Sequence, residues 1–196
     1  MYLEPQISSS IKKGSIEVIC GSMFSGKTEE LIRRLNRAQF ANLNVQIYKP
    51  IIDTRYDKNK VVSHNKKSIP AKSVKQSSDI LGLVKNTDVI GIDEAQFFTD
   101  NLVLTANTLA NLKIRVIIAG LDMDFLGNPF GEMPNLLSIA DHITKVHAIC
   151  LDCGEIANHS YRTENDKKLI ALGEKNKYKP LCRECFNENL KNETCS

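Results

Sequence analysis

Short apolar runs alternate with amphipathic segments along the first three quarters of the chain. The apolar runs predict buried strands at residues 15–20, 89–92 and 114–121, and further strands are predicted at 44–48 and 142–149. Helices are predicted over 99–111 and 27–39. In the second of these, Leu31, Ile32, Leu35 and Ala38 recur at helical spacing on one face. Strands that alternate with helices in this way indicate an α/β fold, in which helices flank a parallel sheet.

Two segments depart from this alternation. Residues 53–78 are polar, rich in lysine and weakly periodic, which predicts a long loop or ribbon. Residues 150–196 carry two cysteine pairs and end in a polar tail. We therefore place a domain boundary near Lys145, and expect an α/β domain over 1–145 and a smaller domain over 146–196.

Composition and charge narrow the possible classes of function. Of the 196 residues, 42% are hydrophobic and 25% are charged, which is typical of a globular protein and excludes disorder for most of the chain. The net charge of +3 is too small to indicate a nucleic acid or membrane partner. The first eight residues lack the apolar segment of a secretory signal, and no apolar run has the length of a bilayer span. We expect a cytoplasmic protein with neither kind of partner.

The strongest local motif lies between the first predicted strand and the first predicted helix. It has the phosphate-loop spacing of glycine, four residues, glycine, lysine and threonine, formed by Gly21, Ser22, Met23, Phe24, Ser25, Gly26, Lys27 and Thr28. A strand that enters such a loop and a helix that leaves it direct backbone N–H groups at phosphate oxygens. Lys27 would reach the β- and γ-phosphates, and the Thr28 hydroxyl would ligate Mg²⁺. The alternative is a glycine-containing strand-to-helix turn that binds no ligand.

An acidic pair, Asp93 and Glu94, follows the predicted strand at 89–92. In phosphate-loop proteins a carboxylate at such a strand end holds Mg²⁺, usually through water, which is the role expected of Asp93. Glu94 would lie beside the γ-phosphate, where a carboxylate can accept a proton from an attacking hydroxyl or water. An isolated acidic pair more often caps the next helix, but the phosphate loop favours the catalytic interpretation.

Four of the six cysteines form two Cys-x-x-Cys pairs, at Cys150, Cys153, Cys182 and Cys185. Two such pairs supply four thiolates in a tetrahedral set, which is typical of a structural Zn²⁺ site. The alternatives are a thioredoxin-type redox pair, which would lie near a βαβ unit, and two unlinked thiol pairs. Cys20 lies in an apolar strand and is expected in the core, whereas Cys195 lies in the polar tail.

The spacer between the two cysteine pairs covers residues 154–181, which is longer than the spacer of a bare zinc ribbon. A metal site at both ends would anchor it as a long loop, and long loops on rigid anchors commonly bind ligands. Its apolar run at 169–173 is too short to form a core alone and needs a surface to cover. The β-hairpin of an ordinary ribbon remains the alternative.

Together these motifs resemble the thymidine kinases of the zinc-containing class, which occur in bacteria, animals and poxviruses. The resemblance runs in order over residues 21–185, through the phosphate loop, both cysteine pairs and the segments 53–56, 63–64, 93–98, 120–122, 125, 129–131 and 177–178. It implies a P-loop NTPase-like domain and a small zinc domain whose long loop, the lasso, folds over the nucleoside. It also implies transfer of the γ-phosphate of ATP to the 5′-hydroxyl of thymidine, a homotetramer and feedback inhibition by dTTP.

The same resemblance assigns roles to individual residues. Glu94 would be the general base, Lys27 and Arg55 would offset charge on the transferred phosphate, and the nucleotide would also lie near Asp53, Asp93 and Gln96. The apolar pocket for the base would comprise Met23, Phe97, Leu121, Phe125 and Phe130. Tyr178 would pack near the base, Ser160 would lie near the thymine methyl, and lasso main chain would reach the base edge from Leu169, Ile170, Ala171, Leu172 and Gly173.

Two other classes of protein share parts of this pattern. A zinc-ribbon ATPase that binds nucleic acid would need a basic stripe with stacking aromatic residues, but acidic residues interrupt the lysines of the 154–181 spacer. A small GTPase would need an aspartate two residues after an Asn-Lys pair, and the pairs at 59–60, 65–66 and 176–177 have none. The sequence therefore predicts an ATP-dependent thymidine kinase.

Overall fold

A computed structural model describes residues 13–53, 60–62, 68–163 and 177–194. In its first part the elements are β1 (Ser15–Cys20), α1 (Lys27–Phe40), β2 (Val45–Pro50), β3 (Lys60–Val62), β4 (Ser68–Pro70), β5 (Lys72–Val74), α2 (Asp79–Leu83) and β6 (Val89–Ile92). A 3₁₀ turn (Ala95–Phe97) follows, and then α3 (Leu102–Asn111), β7 (Arg115–Gly120), α4 (Met133–Ile139) and β8 (His142–Lys145). The remaining elements are β9 (Ala148–Ile149), β10 (Ile156–Ala157), β11 (His159–Arg162), β12 (Tyr178–Leu181) and α5 (Arg183–Thr194).

Six of these strands form one sheet in the order β5-β2-β6-β7-β1-β8. All five pairings between neighbouring strands are parallel, so the carboxyl ends of the strands lie along the same edge. Cys20 at the end of β1 pairs with Gly120 at the end of β7, and Ile92 at the end of β6 pairs with Ile118. The segments that follow β1, β6 and β7 therefore meet at one edge, which is where open α/β sheets bind ligands.

Each face of this sheet is covered by an apolar cluster. Successive strand residues point to opposite faces, so Ile19 and Ile117 pack with α1, whereas Val18 and Val116 pack with α3 and α4. Burial of both faces requires strands that are apolar throughout, because no side of the strand is left for water. This explains the continuous apolar runs in the sequence, and the predicted α/β sheet is confirmed.

A buried ion network joins α1 to the sheet. The guanidinium of Arg34 is fully buried and donates to the Glu17 carboxylate on β1 at 2.8 Å and to the Thr144 hydroxyl on β8 at 2.8 Å. Removing one partner of such a pair typically costs 3–5 kcal/mol, about the cost of an uncompensated buried charge. The network fixes the position of α1, the helix that begins at the phosphate loop.

The strands of the structure differ from the predicted ones in two segments. The run at 142–149 was predicted as one strand, but it forms β8 in the large sheet and β9 in a separate two-stranded sheet with β10. Between them the Val146 N–H donates to the Cys20 carbonyl at 2.9 Å, where the chain leaves the sheet. The segment 53–78, predicted as a loop or ribbon, contains β3, β4 and β5, and β5 extends the large sheet beside β2. Strands of three residues are too short to show a period in the sequence.

Helix boundaries differ from the predictions for local reasons. α3 begins at Leu102 rather than residue 99, because the Asn101 side chain accepts a hydrogen bond from the Leu104 N–H at 2.9 Å and caps the helix there. The short helices α2 and α4 were not predicted. None of the helices in the described ranges is both long and apolar enough to cross a membrane.

The residues that follow β8 form a small unit around the cysteines. Two antiparallel pairs, β9 with β10 and β11 with β12, pack with α5 around a small buried cluster that comprises Ala148, Cys150, Ala157, Tyr161, Leu181 and Phe186. The predicted domain boundary near Lys145 coincides with the last residue of β8. The assignment of 1–145 and 146–196 as separate domains stays a prediction.

Candidate active site and metal centre

The phosphate loop lies between β1 and α1, as predicted. Gly26 has a left-handed backbone (φ 87°), and among the described residues no side chain caps α1, so its first-turn N–H groups face the loop. The Ser25 hydroxyl and the Lys27 ammonium both donate to the Ser22 carbonyl, each at 2.7 Å. The loop thus holds a lysine and a helix N-terminus at one point, an arrangement that fits the phosphates of a nucleotide.

The first glycine of the loop is required by a close backbone approach. Gly21 has a φ of 146°, and a Cβ at this position would lie 2.1 Å from the Val146 carbonyl oxygen. The segment between β8 and β9 therefore packs directly on the loop. A larger residue at position 21 would displace either the loop or this connection.

The Thr28 hydroxyl and the Asp93 carboxylate face each other across the end of the sheet. Thr28 Oγ1 donates to Asp93 Oδ2 at 3.2 Å, and Asp93 Oδ1 accepts from the Glu94 N–H at 3.0 Å. Asp93 is buried. A hydroxyl and a carboxylate this close to a phosphate loop are the oxygen ligands that Mg²⁺ uses in such proteins, so the residues present fit that ion.

Glu94 has a left-handed backbone (φ 54°), which is uncommon for a residue other than glycine. Its carboxylate accepts a hydrogen bond from Gln96 Nε2 at 2.6 Å. The other end of the same buried amide, Gln96 Oε1, accepts from the Leu121 N–H at 2.9 Å. Gln96 therefore connects the end of β7 to Glu94 and fixes the direction of the carboxylate. The resemblance had placed Gln96 near the nucleotide and did not predict these contacts.

Residues of the predicted apolar pocket come from two neighbouring segments. The rings of Phe97 and Phe130 pack edge to face with their centroids 5.8 Å apart. Gly131 allows this approach, because it has a φ of 52° and a Cβ there would lie 2.6 Å from the Gln96 carbonyl oxygen. Leu121, which is bonded to Gln96, completes the contact between these segments.

Strand β11 touches both the phosphate loop and the predicted pocket. The Ser160 hydroxyl is buried and accepts a hydrogen bond from the Met23 N–H at 2.9 Å. Arg162 lies two residues further along and on the same side of the strand. Its guanidinium carbon is 3.7 Å from the centre of the Phe125 ring, and Nη2 donates to the Tyr178 hydroxyl at 2.7 Å. Arg162 was not predicted as a site residue, although a charged residue on the same side of the strand as Ser160 was an available signal.

A buried ion pair lies at the end of β2. Lys49 Nζ is 3.5 Å from Asp53 Oδ2, and both residues are buried. Lys49 was not predicted as part of the site. Of the other predicted residues, Arg55 and Leu169, Ile170, Ala171, Leu172 and Gly173 lie outside the described residues.

The four cysteines of the two pairs converge. The sulfur atoms of Cys150, Cys153, Cys182 and Cys185 all lie within 4.8 Å of one another, and those of Cys153 and Cys182 are 3.6 Å apart. Tetrahedral Zn²⁺ with Zn–S bonds of about 2.3 Å requires sulfur atoms about 3.8 Å apart. The cluster could therefore hold a metal ion such as zinc.

Contacts outside the cluster hold the cysteines in place. Asn189 on α5 donates to the Cys185 carbonyl at 2.7 Å and to the Asp152 carboxylate at 3.0 Å. Lys179 on β12 also bonds Asp152, at 3.1 Å, and lowers the pKa of its carboxyl group. These contacts connect both cysteine pairs to β12 and α5.

Two titratable groups are buried where the small unit meets the sheet. Burial, together with the negative charge of Asp122, raises the pKa of the Cys20 thiol to about 11, so Cys20 is a neutral core residue as predicted. Burial and the positive charges of Arg183 and Lys145 lower the pKa of His159. The His159 ring stacks on Phe186 with centroids 4.4 Å apart, and its Nδ1 has no hydrogen-bond partner among the described residues.

Comparison with known proteins gives one consistent result. The family profile described as thymidine kinase matches residues 14–186. A thymidine kinase of Bacteroides thetaiotaomicron is 56% identical over 186 residues, which cover 95% of this chain and 94% of that protein. Relatives with the same name occur in Bacteroides fragilis (54% identical, covering 98% and 97%) and Porphyromonas gingivalis (55% identical, covering 95% and 91%). With a match of this length and the four-cysteine cluster of the zinc-containing class, the chain belongs to the thymidine kinase family.

Proposed function

We propose that this protein transfers the γ-phosphate of ATP to the 5′-hydroxyl of thymidine, giving dTMP for DNA synthesis by nucleoside salvage. The proposal rests on the convergence of Lys27, the Thr28–Asp93 pair and Glu94 at one edge of the sheet, within a chain that matches the family over nearly its whole length. These groups are the ones that a phosphoryl transfer to an alcohol needs.

The phosphate loop would hold ATP, with Lys27 directed at the β- and γ-phosphates. Thr28 and Asp93 would hold Mg²⁺, which when bound neutralises charge on the phosphate oxygens. The buried carboxylate of Asp53, paired with Lys49, would lie beside the phosphates. The resemblance adds Arg55 as a cation for the transferred group.

Glu94 would act as the general base that accepts the proton of the 5′-hydroxyl. A base contributes to the rate only when it is within hydrogen-bond reach of that proton in the bound substrate. The bond from Gln96 Nε2 to the Glu94 carboxylate restricts the orientation of that carboxylate. Gln96 would thus position the base rather than contact the phosphates.

The nucleoside would lie between the two parts of the chain. Its base would contact Met23, Phe97, Leu121, Phe125 and Phe130 on one side, and Ser160, Tyr178 and the segment 169–173 on the other. Support comes from the contacts between Met23 and Ser160 and between the Phe97 and Phe130 rings. In this arrangement the domain over 1–145 binds ATP, and the domain over 146–196 closes over thymidine.

The cysteine cluster would hold Zn²⁺ in a structural role, because four thiolates leave no ligand position open for a substrate. We extend three further expectations from the family resemblance: a homotetramer, feedback inhibition by dTTP and a cytoplasmic location. Light scattering and inhibition by dTTP test the first two directly.

The experiment that tests the function is a panel of nucleosides incubated with Mg-ATP and the purified chain, with detection of the monophosphates. Thymidine should be phosphorylated, and Glu94→Gln should reduce turnover by about 10²–10⁴ while Mg-ATP still binds, since the amide has the shape of the carboxylate but cannot take the proton. ATP consumption that responds to single-stranded DNA and not to thymidine would overturn the proposal. A loss below about tenfold in Glu94→Gln would remove that residue from the role of base.

A further inference from the structure

The positive charge of Arg162 is buried and must be stabilised by neighbouring groups. It is the last residue of β11 and only 4% exposed. Burial of an unpaired guanidinium is costly, so its surroundings must stabilise the charge. Two of its described contacts do so, one with a hydroxyl and one with an aromatic face.

The first contact is with Tyr178. Arg162 and Tyr178 are paired residues of the antiparallel β11–β12 ladder, and Nη2 and Nε of Arg162 donate to the Tyr178 hydroxyl at 2.7 and 3.1 Å. The guanidinium carbon is also 5.3 Å from the centre of the Tyr178 ring. The planar fork of arginine makes both bonds at once, which an ammonium group could not do with the same geometry.

The second contact is with Phe125, which belongs to the segment after β7 in the larger part of the chain. The guanidinium carbon lies 3.7 Å from the centre of this ring, well within the range of a cation–π contact. Arg162 therefore joins two aromatic side chains that come from positions more than 50 residues apart, and that the family resemblance places at the thymidine base.

The same strand contributes a second anchor. Ser160, which lies on the same side of β11, bonds the main chain of Met23 in the phosphate loop at 2.9 Å. Strand β11 thus connects to the phosphate loop at one point and to Phe125 at the next. Its position fixes both ends of the predicted nucleoside pocket.

We propose that Arg162 is a positioning residue for the nucleoside pocket: it holds Phe125 and Tyr178 in a fixed relation before thymidine binds. This inference rests on the proposed function. A pocket whose aromatic walls are already ordered loses less conformational freedom when the ligand enters, and so binds it more tightly. The effect concerns thymidine and not Mg-ATP, because Arg162 has its two aromatic contacts in the pocket and neither in the phosphate loop.

The test compares ligand binding by the full chain in three variants. Arg162→Met keeps an unbranched apolar stem but loses the charged fork, and should weaken thymidine binding by about tenfold, since a desolvated cation–π contact has an effect of that size or larger. The KM for thymidine should rise with it, whereas kcat and the KM for Mg-ATP should change less than about twofold. Arg162→Lys keeps the charge and should recover part of the affinity. Arg33→Met, on the exposed face of α1, serves as the control arginine and should bind thymidine as the wild type does.

A second, milder variant distinguishes loss of the Arg162–Tyr178 contact from misfolding of Arg162→Met. Tyr178→Phe removes only the hydroxyl that accepts the two bonds, and in combination with Arg162→Met it should add little to the loss caused by Arg162→Met alone. Thymidine binding within about twofold of wild type in Arg162→Met, or an equal loss of thymidine and Mg-ATP affinity, would overturn the inference. If the wild-type chain phosphorylates no nucleoside, the proposed function is overturned instead. Titration with thymidine would still measure how Arg162 affects thymidine affinity.

Discussion

The sheet and the cysteine unit differ in what stabilises their folded structure. The sheet has an apolar cluster on each face, and side chains such as Val18, Ile19 and Leu35 are fully buried there. In its described residues the cysteine unit has two short strand pairs, one helix and one small apolar cluster around Phe186. Units of this size commonly need a metal to fold, because their apolar burial does not offset the loss of chain entropy. The first part should therefore keep its structure without a ligand, and the second should depend on its metal.

The two parts also differ in how their functional groups are assembled. The phosphate loop is one continuous segment, and its carboxylate partners follow a neighbouring strand of the same sheet. The proposed nucleoside pocket instead combines Phe125 with Ser160, Arg162 and Tyr178 of the cysteine unit. Damage to one part should thus affect one substrate far more than the other, and the following variants test that division.

Lys27→Ala should have the largest effect. It removes the charge that meets the β- and γ-phosphates, and turnover should fall by about 10²–10³, as for the loss of other groups that stabilise transition-state charge. Mg-ATP binding should weaken, and thymidine binding should stay within about twofold of wild type. Calorimetric titration of each ligand measures both, with exposed Lys75→Ala as the control. An equal loss of thymidine affinity would contradict the expectation that each part of the chain mainly affects one substrate.

Cys182→Ser should produce the opposite pattern. The wild-type chain should contain about one Zn²⁺, and the variant should lose it, because a serine hydroxyl is a poor replacement for a thiolate. With one end of the 154–181 loop released, only a fraction of molecules is competent to bind thymidine, and affinity should fall by about tenfold or more.

Mg-ATP affinity should change little in Cys182→Ser. Elemental analysis and the same titrations provide the measurements, and Cys195→Ser should keep both zinc and thymidine binding. A point substitution is preferable to a chelator, which would also remove Mg²⁺. An active preparation without zinc would contradict the structural role of the cluster.

Gln96→Leu tests the hydrogen-bonded connection from Leu121 through Gln96 to Glu94. The variant loses the bond to Glu94 and the bond from the Leu121 N–H, so the orientation of the carboxylate is less restricted. We expect kcat to fall by about tenfold, less than for loss of the base itself, with a smaller change in the KM for Mg-ATP. Steady-state kinetics measure the effect, and Gln39→Leu on the exposed face of α1 is the control. If KM for Mg-ATP rises while kcat is unchanged, Gln96 contacts the nucleotide instead.

His159→Phe should have the smallest effect and concerns the boundary itself. The pKa of His159 is lowered in the folded chain, so between that pKa and the ordinary value of about 6.5 the unfolded chain binds more protons. The free energy of unfolding therefore decreases as pH falls below about 6.5. Phenylalanine keeps the stacking on Phe186 and cannot titrate, so this part of the decrease should disappear. Urea unfolding at pH 7.5 and 5.5 in the presence of zinc, with His142→Phe as control, measures the difference; an unchanged pH dependence would contradict it.

Much of the fold was predictable because it depends on period and spacing. The strands at 15–20 and 89–92 were predicted with their observed bounds, since both faces of the sheet are buried and the runs are mostly apolar, with the ion-paired Glu17 as an exception. The segment 53–78 was not, because β5 has three residues and gains its stability from pairing with β2 rather than from its own pattern. Strand β8 was merged with β9 for a related reason: the chain changes sheets at Val146, and no glycine or proline marks that point in the sequence.

The sequence by itself determined the local chemistry of this protein. The spacing from Gly21 to Thr28 predicts a phosphate loop, and each Cys-x-x-Cys pair predicts two sulfur atoms on one side of a tight turn, because neighbouring residues on a tight turn have few ways to be arranged. Only the tertiary structure decided which distant side chains complete these sites. Gln96 meets Leu121 through the register of the sheet, and Arg162 meets Phe125 because strand β11 packs beside the segment that follows β7. Contacts of this kind depend on how whole elements pack, and no local pattern encodes them.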